Sequence, residues 1–144
     1  MSKSQESQSI ARPMPDPAPA SKPFWNGARQ HKLMIPRCEA CGQAWFPPSG
    51  RCPNCLSADH RWIQASGRGA VFSFAVVHRV YHRYFEGKTP YVVGVIELEE
   101  GPRLISNVVD IPPEQIRCNM PVEVVFEDVG DDFCLPKFRP ASQR

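Results

Sequence analysis

The chain has 144 residues, 42% hydrophobic and 22% charged, with a formal net charge of +2. That is enough to bury a core in one domain or two very small ones, and a charge of +2 supplies no strong field for a polyanion or a membrane surface. Sixteen prolines, roughly twice average usage, exclude a long-helix bundle or coiled coil. No apolar run approaches the roughly 18 residues of a membrane span.

The N-terminus, MSKSQESQSI, has no apolar stretch of the secretory kind. Residues 1–20 are Ser/Gln-rich, then Pro/Ala-rich, and without aromatics. Such a segment buries too little apolar area to offset its ordering entropy, so a disordered tail is expected. Residues 21–32 predict a short helix, with Ser21 as its N-cap and Pro23 in its first turn. Phe24, Trp25 and Ala28 give it one apolar side, and Gly27 weakens it. The two aromatics either pack on their own chain or anchor a partner, since aromatics carry much of the energy of interfaces.

Residues 33–66 hold the first four of six cysteines, flanked by short strands at 33–37 and 61–65. Gly67 and Gly69 then punctuate the chain, and from 67 to 141 the pattern is all β. The predicted strands are 70–80, 91–98, 103–109, 122–129 and 133–138, with room for one helical turn in IPPEQIRCN. Strict alternation in the first would put Ala70, Phe72, Phe74 and Val76 on one face. Five short strands with a helical turn after the third suggest a small closed or partly open barrel. Charge divides along the chain: residues 1–70 carry nine Lys/Arg against four Asp/Glu, and residues 71–144 eight against eleven.

Cys38-Glu-Ala-Cys41-Gly42 and Cys52-Pro-Asn-Cys55 are two Cys-x-x-Cys pairs separated by ten residues. Each tight loop sets two thiolates on one side, and two facing loops make a tetrahedral four-sulfur site. Gly42 supplies the positive φ that such a turn often needs. Without a secretion signal, metal is favoured over disulfides and a cytoplasmic location is expected. Four thiolates hold zinc or a rubredoxin-type iron, and the ligands alone do not separate the two. A closed four-cysteine zinc site has no open position, so its role would be structural. Cys118 and Cys134 read as ordinary barrel thiols. His31, His60, His78 and His82 form no motif with a carboxylate or serine. With no glycine-rich phosphate loop and no nucleophile elbow, the sequence offers no catalytic constellation of its own.

These local features, taken in order, resemble a known family, the acyl-CoA-associated OB-fold proteins with an N-terminal rubredoxin-like zinc ribbon. The matching residues are Phe24-Trp25, Cys38-x-x-Cys41-Gly42, Trp45-Phe46-Pro47-Pro48 and Arg51-Cys52-Pro53-x-Cys55. Beyond them come Gly67-x-Gly69, Pro90-Tyr91, the turn Glu97-Leu98-Glu99-Glu100-Gly101-Pro102-Arg103 and the ending Pro136-Lys137-Phe138-Arg139-Pro140. The resemblance spans 21–140. It implies a mainly β chain with a short N-terminal helix, a zinc ribbon and a five-stranded OB-fold barrel. It further implies one structural Zn²⁺ and a non-catalytic accessory subunit that bridges a thiolase-like condensing or retro-aldol enzyme, or a hydratase, and helps shape its CoA channel. One departure is Leu56, where a full rubredoxin knuckle carries glycine; it favours the structural role over electron transfer.

The stretch from His78 to Lys88 interleaves basic and aromatic residues. CoA offers phosphates to Arg or Lys and an adenine to aromatic faces. Arg79, Arg83, Tyr84, Lys88 and Tyr91 are the candidate CoA contacts, and Phe24 and Trp25 the candidate partner interface. A barrel of this type can also bind single-stranded nucleic acid through stacking and basic grooves. The acidic balance of residues 71–144 weighs against that reading, because polyanion binding rests on many cations. A small iron electron carrier is a third reading.

Overall fold

A computed structural model describes residues 11–142. The first ten residues of the expected tail lie outside the described residues. Residues 11–18 have no regular secondary structure, and a single 3₁₀ turn, Pro19–Ser21, leads into helix α1, Lys22–Arg29. Pro23 sits in the first turn of α1, as its missing N–H allows. Ser21 precedes the helix but does not cap it. Its hydroxyl donates back to the Ala18 carbonyl at 2.8 Å, because its backbone is already helical rather than extended.

Two strands, β1 (Met34–Cys38) and β2 (His60–Gln64), pair antiparallel and frame the cysteine loops. The remaining strands are β3 (Arg68–Val77), β4 (Tyr91–Leu98), β5 (Arg103–Asn107), β6 (Pro121–Val129) and β7 (Phe133–Pro140). They form one sheet in the order β5-β4-β3-β6-β7. The two edges meet where Val108 bridges Phe138 in parallel and the Val109 N–H donates to the Phe138 carbonyl at 2.7 Å. The sheet is therefore a nearly closed five-stranded barrel, the mainly β architecture expected. The helical turn after its third strand is a 3₁₀ turn, Pro113–Gln115, followed by the buried Ile116.

Strand β4 alternates as the pleat requires, with Val92, Gly94, Ile96 and Leu98 facing inward. In β3 the alternation expected from sequence fails. A β-bulge between Val71 and Ser73 inserts one residue and reverses the faces beyond it. Val71, Phe74 and Val76 belong to the core side, while Phe72 is exposed and covered by the Arg103 guanidinium, 3.7 Å from its ring centre. Gly69 lies so close to β4 that a Cβ there would meet the Glu97 carbonyl oxygen at 2.4 Å.

The core is continuous from helix through ribbon to barrel. Phe24, Leu33, Ile35, Ala44 and Ala65 pack in one cluster with Val71, Ile96, Leu104, Val122 and Phe138. The β4–β5 turn ties ribbon to barrel: Ser66 donates its N–H to Glu100 Oε2 at 3.1 Å and its hydroxyl to Glu99 Oε2 at 3.2 Å. The Glu-Glu-Gly-Pro-Arg sequence is thus structural.

Candidate metal centre and barrel pocket

The cysteine loops face each other. Cys38 Sγ lies 3.5 Å from Cys55 Sγ, Cys41 Sγ lies 3.6 Å from Cys52 Sγ, and all four sulfurs fall within 4.8 Å of one another. A tetrahedron with metal–sulfur bonds of about 2.3 Å has edges of about 3.8 Å. The donor set and its spacing therefore fit a closed four-thiolate metal site. Each loop is built on a left-handed residue. Gly42 has φ +77°, and its N–H closes on the Cys38 carbonyl at 3.0 Å. Leu56 has φ +65°, and its N–H closes on the Cys52 carbonyl at 2.8 Å. The Cys41 N–H reaches Cys38 Sγ at 3.4 Å. Hydrogen bonds from the Gln43 N–H and the Asn54 amide lower the Cys41 thiol to about 6. Cys38, Cys52 and Trp45 form a small buried cluster of their own.

Leu56 keeps the second knuckle's shape at a cost. A left-handed residue other than glycine is disfavoured by roughly 1–2 kcal/mol, and the Leu56 side chain is 68% exposed, so little burial offsets it. Leu56→Gly should leave metal content unchanged and leave chemical stability equal or higher by up to about 1 kcal/mol. Denaturant melts of the metal-loaded protein measure this; a clear loss would mean the side chain makes a stabilising contact.

The second feature is a pocket of about 550 Å³ at one end of the barrel. The 3₁₀ turn Arg83–Phe85, capped by the His82 ring accepting from the Tyr84 N–H at 3.1 Å, forms one wall. Three of the five expected ligand contacts, Tyr84, Lys88 and Tyr91, line it. Arg79 and Arg83 do not: Arg79 leans on Tyr81, 5.4 Å from its ring centre, and both arginines are exposed. The aromatics form a chain, Tyr84 edge-on to Phe85 at 5.1 Å and Phe85 against Tyr91 at 5.3 Å. Lys88 Nζ sits 3.4 Å above the Tyr84 ring.

Two further cations line the pocket, Arg12 and Lys137. Arg12 donates to Glu127 Oε1 at 2.7 Å and lies 5.3 Å from the Tyr84 ring, and Lys137 pairs with the other Glu127 oxygen. Partial burial pushes the Glu127 carboxyl up, but Lys137 and Arg12 more than reverse this and hold it below its ordinary value. The link among the three therefore persists above the ordinary carboxylate range and is lost as pH falls through the depressed value. Lys88 has no carboxylate partner among the described residues.

The expected partner anchors also separate. Phe24 is 7% exposed and packs inside the chain, edge-on to Phe46 at 5.3 Å, so it is not a free anchor. Trp25 is half-buried against Phe133 and lines a groove of about 290 Å³ with Leu135 and Ile105, the last 73% exposed. Cys118 is exposed, outside the barrel core, whereas Cys134 is buried. His31, unclustered in sequence, lies with its Nε2 3.2 Å from Asp128 Oδ1 and close to Cys134. Burial, reinforced by Asp128, pushes the Cys134 thiol up to about 12, so it is not poised as a nucleophile. None of the described helices is long and apolar enough to cross a membrane.

Residues 25–61 match the family model "ChsH2, rubredoxin-like zinc ribbon domain", and residues 62–127 match "ChsH2, C-terminal OB-fold domain". A DUF35 domain-containing scaffold protein of Methanocaldococcus jannaschii is 38% identical over 124 residues, which cover 81% of this chain and 87% of that one. A probable enoyl-CoA hydratase alpha subunit of Thermomonospora curvata is 43% identical over 119 residues. The match covers 82% of this chain but only 37% of that longer relative. Among solved structures, a chain of the Ltp2-ChsH2(DUF35) aldolase is 39% identical, with a TM-score of 0.81 over 90% of this chain and 100% of that one. On ligand geometry, barrel topology and these relationships together, the chain belongs to the DUF35 family, with a ChsH2-type rubredoxin-like ribbon followed by an OB-fold domain.

Proposed function

We propose that this protein is a non-catalytic, cytoplasmic subunit that scaffolds an acyl-CoA enzyme and completes one wall of its CoA channel. The observation that carries the reading is the match, over the whole of the neighbour's length, to the DUF35 chain of an aldolase assembly. The hydratase relationship broadens the class of partner to thiolase-like, retro-aldol or hydratase enzymes. Zn²⁺ is the proposed metal of Cys38, Cys41, Cys52 and Cys55, in keeping with the closed all-thiolate donor set and the ribbon family. Its role is to hold the ribbon folded. The groove beside Trp25 is the proposed partner contact, with Phe24 supporting it from within.

In the barrel pocket, Lys88 is the proposed phosphate ligand, and the faces of Tyr84 and Tyr91 are stacking surfaces for the adenine. Arg12 and Lys137 engage phosphate only by sharing with Glu127. Arg79 and Arg83 are assigned to the outer surface. A charge-assisted hydrogen bond is worth about 1.5–3 kcal/mol, so Lys88→Ala should raise KM for the acyl-CoA at least about tenfold in the complex with the catalytic partner. Arg83→Ala should leave KM within about twofold. Steady-state kinetics of the reconstituted complex decide between them, and an unchanged KM in Lys88→Ala would remove this pocket from the CoA path.

A further inference from the structure

Asp128 and Cys134 are paired directly across the β6–β7 ladder, so their side chains share a face. His31 reaches them from the turn after α1, where its φ of +58° and the stacking of its ring on Phe126, 5.2 Å away and 6° from parallel, fix its direction. One donor atom from each of the three lies within 4.8 Å of the others, and the His31–Asp128 separation is 3.2 Å. A tetrahedral ion bound at about 2.0 Å by nitrogen and oxygen and about 2.3 Å by sulfur needs donors about 3.3–3.5 Å apart. The nitrogen–oxygen edge already has that length. The edges to Cys134 lie within 4.8 Å, and His31 and Asp128 are both exposed.

We infer that His31, Asp128 and Cys134 form a second metal site, separate from the ribbon, for a zinc-type divalent ion held by three protein ligands with a fourth position open to water. Mixed nitrogen, oxygen and thiolate donors select borderline transition ions over Mg²⁺ and Ca²⁺, which take oxygen donors. On binding, the Cys134 thiol proton leaves to solvent as the sulfur–metal bond forms, so each ion taken up releases one proton. The site joins the end of α1 to β6 and β7, one residue from Phe133, on which Trp25 rests. An ion there clamps the helix to the barrel.

The test is a Co²⁺ titration of the full chain with its ribbon already loaded with zinc. One equivalent of Co²⁺ should bind, with a thiolate-to-cobalt charge-transfer band in the near ultraviolet and no zinc released. His31→Ala and Cys134→Ser should each weaken binding at least tenfold or abolish the band, and Cys118→Ser should leave it. Asp128→Asn, at an exposed position, serves in place of Cys134→Ser should that variant fold poorly. No band in the native protein, a band that survives His31→Ala, or a band matched by equivalent zinc release would each overturn the site.

Discussion

Cys52→Ser is expected to empty the ribbon of metal and open it. Cys52 is fully buried and supplies one of four sulfurs, and a serine hydroxyl is a poor replacement for a thiolate. The ribbon's own interior consists of little more than Cys38, Trp45 and Cys52. Structural zinc in comparable modules contributes about 10–16 kcal/mol of apparent binding, most of it folding energy, as much as the whole stability of an ordinary domain, about 5–15 kcal/mol. The damage should spread, because Leu33, Ile35, Ala44 and Ala65 share their core with the barrel. Elemental analysis should find the ribbon equivalent of zinc missing, and proteolysis should cut between β1 and β2 under conditions that leave the native protein whole. Retained stoichiometric zinc with an intact ribbon would show that the four sulfurs are not the ligand set. Iron in place of zinc after native purification would overturn the structural-zinc reading.

Phe138→Ala carries the second large effect. Phe138 is the largest fully buried side chain, and it sits where the barrel's edges meet, its carbonyl accepting from Val109 and its backbone bridging Val108. Removing a buried phenylalanine ring costs about 3–5 kcal/mol, through lost transfer energy and the cavity left behind. The backbone bond to Val109 does not compensate, since alanine keeps it while the ring space collapses only in part. Urea unfolding should show the midpoint falling with the slope nearly unchanged. A loss below about 1 kcal/mol would mean the barrel repacks and does not depend on this closure.

What the sequence revealed and what it hid follow from how local each feature is. The four-cysteine cluster was legible because a Cys-x-x-Cys loop needs only neighbouring residues. Strand β4 was legible because its inward residues alternate without interruption between two turns. In β3 the same rule failed at Phe72, where a bulge with no distinctive residue reverses the faces. The pocket was half legible: Tyr84, Lys88 and Tyr91 lie in one basic-aromatic stretch. Arg12 and Glu127 are 115 residues apart and meet only in the fold. Arg79 and Arg83 belong to the same stretch but do not line the pocket, and both are exposed. Phe24 and Trp25 are adjacent in sequence, but the helix buries the first and leaves the second at a groove. His31 meets Asp128 across 97 residues, a separation that leaves no motif to find.

The central claim, that this protein assembles with an acyl-CoA enzyme and leaves the chemistry to it, is tested most directly by native purification of the full chain followed by an activity comparison. The bound enzyme is identified by mass spectrometry, and acyl-CoA turnover is measured for the complex, for the partner alone and for this chain alone. The account predicts a stoichiometric thiolase-like, retro-aldol or hydratase partner, turnover by the complex, and none by the isolated zinc-loaded chain. Robust turnover of an acyl-CoA thioester by the homogeneous chain alone would contradict it.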